Sequence, residues 1–196
     1  MSRTVLITGC SSGIGISIAK KILEQSCHVV GLSRRDPSNI LQSKYFHFER
    51  CNLNELGIAR VIFKRILNQY PDIDTIICNA STGQLCDFEE LSEIAMVEMI
   101  QVNFTSQLLL VKTFLPIFKT RPSNIIFIIS PDSTDEKQGN LYFATKLALE
   151  SFAETLRNEN LYPLTKITIL HPTSPHFSEA VGKAVQDVAL NFCKSM

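Results

Sequence analysis

Thr8-Gly9-Cys10-Ser11-Ser12-Gly13-Ile14-Gly15 joins two different sequence patterns. Before it, residues 3–8 read as a strand rich in Val, Leu and Ile. After it, residues 13–25 place Ile14, Ile18 and Ile22 at helical spacing, with Ala19 and Leu23 widening the apolar face. A strand that ends in a tight glycine turn and feeds a helix aims that helix's unpaired amides at an anion lying over the loop. Gly9 permits the turn, Gly13 lets the backbone approach a ligand, and Gly15 lets the helix pack close on the strand. The stretch therefore reads as a pyrophosphate-binding loop, with Gly9, Ser11, Ser12, Gly13, Ile14 and Gly15 as its cofactor contacts.

Outward from the loop, apolar runs alternate with helical-period segments. Strands are predicted at 28–32, 45–48, 74–78, 124–130 and 166–170. Helices are predicted at 55–70, 141–160 and 178–194, with two more between Leu91 and Lys119 and a bend near Asn103. Strands that are apolar at nearly every position are buried on both faces, as in a parallel sheet. Alternating βα units imply right-handed crossovers and helices on both faces. The expected fold is α/β, a three-layer α/β/α arrangement around a Rossmann-type, doubly wound parallel sheet of about six strands, forming one domain over residues 1–196. Ligands of such sheets sit beyond the strands' carboxyl ends.

The 196 residues carry 19 Lys plus Arg against 19 Asp plus Glu, so the net charge is zero. No electrostatic footprint for nucleic acid or an anionic membrane follows. No window is expected to reach the roughly 20 apolar residues of a membrane helix. No signal peptide is read at the start, and the six cysteines show no C-x-x-C or zinc spacing, which predicts reduced thiols in a cytoplasmic protein. Cys10, inside the glycine loop, is expected to be partly exposed.

An anion site in a neutral chain must be local. The second strand ends in Gly31-Leu32-Ser33-Arg34-Arg35. An acid at the position of Ser33 would accept the ribose 2′-hydroxyl and select NAD; a serine followed by two guanidinium groups suits a 2′-phosphate instead. NADP(H) is therefore expected over NAD(H).

These residues, with four further motifs, resemble the short-chain dehydrogenase/reductase family. Thr8 to Gly15 is similar to its T-G-x-x-x-G-I-G loop, and Cys78-Asn79-Ala80-Ser81 to its N-N-A-G motif. Gln101-Val102-Asn103 resembles the segment with its helix-interrupting asparagine; Ser130, Tyr142 and Lys146 resemble its catalytic serine and Y-x-x-x-K pair. His171-Pro172-Thr173 stands where the family often has P-G after the sixth strand, and the resemblance spans residues 3 to 175.

The resemblance implies hydride transfer between NADP(H) and a small-molecule carbonyl or alcohol. Tyr142 and Lys146, four apart on a helix, share a face, so the ammonium can stabilise charge on the phenol oxygen as Tyr142 acts as general acid. Ser130 would hydrogen-bond the substrate carbonyl, and Asn103 would carry a water-linked proton relay to Lys146. Asn52, Leu53, Asn79, Ala80, Ser81 and Pro172, with Tyr142 and Lys146, complete the implied cofactor contacts. Subunits would pair through the helices at 102–119 and 141–160 into a homodimer or homotetramer.

The pattern has departures. Pro131 follows Ser130, which stands 12 residues before Tyr142 rather than the more usual 13, with Ser133 as the fallback. Ser81 and Thr173 replace glycines, and Asn52 replaces an aspartate. No seventh strand or lid is read after Pro172, so an open site is expected. These departures keep a second reading in play: an NADP(H)-binding sensor or interaction module with little catalysis.

Overall fold

The computed structural model describes residues 3–83, 86–129, 140–159 and 161–172. Ser130, Pro131, Ser133, Thr173 and the helix expected at 178–194 lie outside them. The strands are β1 (Thr4–Thr8), β2 (His28–Ser33), β3 (Phe46–Arg50), β4 (Ile73–Cys78), β5 (Ser123–Ile128) and β6 (Thr165–Leu170). They form one sheet in the order β3-β2-β1-β4-β5-β6, with every neighbouring pair parallel. The order reverses between β1 and β4, and this switch point opens the crevice used below.

β1 is buried at every position and lies mid-sheet. Its side chains alternate between two cores. Val5 and Ile7 pack with Ile18 and Ile22 of α1 (Gly13–Glu24). Leu6 faces the other layer, with Phe63 and Ile66 of α2 (Leu56–Gln69) and Phe114 and Phe118 further along the chain. This is why the central strands read as continuously apolar.

Between β4 and β5 the chain forms α3 (Glu93–Ile100), a π-helical turn at Gln101–Thr105, and α4 (Ser106–Phe118). The bend expected near Asn103 is thus a local widening of a continuous helix, the form that often accompanies functional positions. The run Glu93–Phe118 is long and apolar enough by length and composition to cross a membrane, with a mean hydropathy of 1.4, although Glu93, Glu98 and Lys112 interrupt it. Part of the apolar character has a plain cause, since Leu110, Val111, Phe114 and Phe118 cover the sheet and are fully buried. The fifth helix, α5 (Asn140–Asn158), lies against β5 and β6 and beside α3.

Candidate functional site

The loop after β1 is fixed by strict backbone demands. Gly9 and Gly13 have φ of 73° and 56°, the left-handed region that favours glycine. A Cβ on Gly15 would stand 2.1 Å from the Gly9 carbonyl oxygen, whereas one on Gly13 would meet nothing within 4 Å. Gly15 therefore closes the turn against the helix, and Gly13 leaves space above it. Ser12, the N-cap of α1, makes no side-chain capping bond, and the first turn holds no acid. The amides there remain available to an anion.

The loop is tied to the segment after β4. Asn79 donates its side-chain amide to the Thr8 and Gly9 carbonyls at 2.9 and 3.3 Å. Thr8 Oγ1 accepts from the Asn79 and Ala80 amides, both at 3.0 Å. Cys10 points inward, not outward as expected: it is fully buried, with Sγ 3.7 Å from Ser33 Oγ, and a Cβ on Gly31 would lie 2.6 Å from its sulfur. Burial pushes its thiol up to about 11, outweighing the hydrogen bond to Ser33.

At the end of β2, Ser33 donates to the Arg35 carbonyl at 2.5 Å, which folds the two arginines over the strand end. Arg35 reaches Ser12 Oγ at 3.5 Å, and Arg34 pairs with Glu98 of α3. Asn52, after β3, is held by its own turn: it donates to Glu55 and accepts from the Asn54 amide.

On the other side of the crevice, Lys146 of α5 is almost completely buried and donates to the Ile128 carbonyl at 3.3 Å. Burial pulls its ammonium down to about 8, partly opposed by Cys78. Its Nζ lies 5.8 Å from the centre of the Tyr142 ring, so the four-residue spacing brings the pair together. A Cβ on Gly83 would come within 2.7 Å of that ring, so the loop after β4 supports the tyrosine by direct backbone contact.

Asn103 is fully buried behind this pair and does not line the crevice. Its Oδ1 accepts from the Thr82 amide at 2.7 Å, and its Nδ2 donates to the Thr82 carbonyl at 2.8 Å and to Thr145 Oγ1 at 3.0 Å. Thr145 in turn donates to the Tyr142 carbonyl at 2.7 Å. The side chain implied as a proton relay thus clamps the β4 loop to α5.

The crevice has a volume of about 410 Å³, a size typical of small-molecule and cofactor sites. Gly9, Ser11, Ser12, Gly13, Ile14 and Gly15 form its floor. Ser33, Arg34, Arg35, Asn52 and Leu53 line one end; Asn79, Ala80 and Ser81 line the middle; Tyr142, Lys146 and Pro172 line the other end. Cys51, Thr82, Glu98, Val102 and Ile128 line it as well and were not among the contacts expected from the sequence. The donors suit a dinucleotide: open helix amides at the centre, guanidinium groups at one end, and a buried ammonium beside a phenol at the other.

The family described as short chain dehydrogenase matches residues 3–183. Retinol dehydrogenase 8 of Bos taurus is 30% identical over 205 residues, covering 95% of this chain and 63% of the relative. The chain spans under two thirds of the length of the curated relatives it matches. A metagenomic short-chain oxidoreductase solved in complex with NADP superposes with a TM-score of 0.84 at 20% identity, covering 95% of this chain and 90% of the other. A short-chain dehydrogenase from Leptospira borgpetersenii with bound NAD+ gives 0.78 at 22% identity, over 87% and 70%.

Proposed function

Because the chain belongs to the short-chain dehydrogenase family, we propose that it is an oxidoreductase that moves a hydride between a nicotinamide dinucleotide and a carbonyl or alcohol, with NADP(H) preferred. The observation that carries this is the single crevice uniting the glycine loop, Arg34 and Arg35, and the Tyr142–Lys146 pair. The cofactor supplies the hydride when bound; the protein supplies position and polarity.

The loop amides and Ser12 would hold the pyrophosphate, and Arg34 and Arg35 the phosphorylated adenosine ribose. Tyr142, braced by Gly83, gives its proton to the substrate oxygen while Lys146 offsets the charge left on the phenol. Among the described residues Lys146 makes one hydrogen bond, to Ile128, so two of its three donors would be left to serve the ribose. Ser130, outside the described residues, completes the set by its resemblance to the family's serine.

Tyr142→Phe should lower turnover of a carbonyl panel by about a hundredfold or more while saturable cofactor binding persists. Turnover that survives the change would exclude this mechanism. We also propose pairing of two copies through α4 and α5; Leu147 on α5, 64% exposed, is an apolar side chain that a partner copy would cover. A monomer mass in sedimentation at micromolar concentration would contradict it.

A further inference from the structure

Glu98 is the acidic side chain among the described residues that line the crevice. It comes from α3, whereas Arg34 follows β2, and Arg34 Nη1 meets Glu98 Oε1 at 3.3 Å. The ion pair therefore joins two elements of the crevice wall. Both partners stay accessible, with Arg34 65% and Glu98 30% exposed. Of the carboxylates near this end, Asp36 accepts from the amide and hydroxyl of Ser38 and Glu55 accepts from Asn52, and neither lines the crevice. Arg50 supports the same corner from behind, donating to the Arg34 carbonyl at 3.0 Å.

We propose that Glu98 tempers the cofactor choice by competing with the 2′-phosphate for Arg34. This rests on the reading of the crevice as a nicotinamide dinucleotide site. A 2′-phosphate carries close to two negative charges and needs a guanidinium partner. Reaching Arg34 means loosening its contact with Glu98 and lying near that carboxylate. An unphosphorylated ribose presents only a neutral hydroxyl, so the pair can stay closed. Glu98 thus narrows the preference for NADP(H) that Arg34 and Arg35 create, and it does so from a helix distant in sequence from the β2 loop. Exposed ion pairs are worth little individually, which limits the effect to about fivefold in affinity.

The test is a titration of the parent protein, Glu98→Gln, Arg34→Gln and the double variant with NADPH and with NADH, followed by nicotinamide fluorescence; the sequence has no Trp to interfere. Glu98→Gln should tighten NADPH about fivefold, leave NADH within about twofold, and lose most of its effect once Arg34 is already Gln. If Arg34→Gln weakens NADPH but Glu98→Gln leaves it unchanged or weaker, or tightens both nucleotides equally, the inference is overturned while the cofactor reading stands. If Arg34→Gln leaves NADPH unchanged, the assignment of Arg34 to the phosphate is wrong and the inference goes with it.

Discussion

A buried lysine is a stability cost. Lys146 has lost nearly all contact with water, and burial holds its ammonium near 8 where an exposed lysine titrates near 10.4. Between those values the unfolded chain keeps a proton that the folded chain has released. Stability therefore rises with pH from about 8 to about 10.4, and below 8 the buried charge costs on the order of 3 kcal/mol. Lys146→Met should raise the melting temperature at pH 7, with the gain fading toward pH 10. An equal gain at both pH values would mean that desolvation of the charge is not its source. A residue retained at such a cost beside Tyr142 fits a role in chemistry rather than in packing. Gly83 makes a complementary case. Any side chain there meets the Tyr142 ring, so Gly83→Ala should displace the phenol and lower turnover by about a hundredfold, with cofactor affinity retained. Unchanged turnover in that variant would show that the ring tolerates the shift. Neither the burial of Lys146 nor the contact of Gly83 was legible in the sequence: Tyr142 and Lys146 were found by spacing, but a lone glycine in a polar loop gives no sign of what it touches.

At the scale of elements, the π-turn at Gln101–Thr105 organises the site. It lets Asn103 reach sideways from a helix and take both backbone groups of Thr82, together with the hydroxyl of Thr145. Asn103→Ala would leave the amide and carbonyl of half-buried Thr82 and the hydroxyl of buried Thr145 without that partner. The expected loss is about 2–4 kcal/mol, which at this chain length lowers the melting temperature by roughly 5–15 °C; a change under 2 °C would mean that the clamp is dispensable. The sequence marked Asn103 as special through its resemblance, and hydrophobic period placed a break nearby. It did not reveal a π-turn, because apolar spacing on both sides stays helical and the widening is a backbone event. Thr145 was passed over for a similar reason, as one of the variable positions between Tyr142 and Lys146. Glu98 sits among solvent-facing helix positions, where a carboxylate is ordinary, so only the placement of α3 against the β2 loop gives it meaning.

For the molecule as a whole, topology makes the crevice. β1 and β4 are neighbours with crossovers running in opposite directions, so the loops after them part and leave room above the strand ends. The sheet was readable because its strands are apolar throughout, and the glycine loop because turn, close approach and helix entry each demand glycine. The inward turn of Cys10 was not readable, since it depends on space left by Gly31 in a neighbouring strand. The walls of the crevice come from segments far apart in sequence, and the account stands on their acting together on one ligand. The most direct check is a titration of the unmodified protein with NADPH and NADH, read by nicotinamide fluorescence. Saturable binding of both, with NADPH the tighter, is the predicted result. Binding of neither would contradict the account and leave the crevice without its proposed occupant.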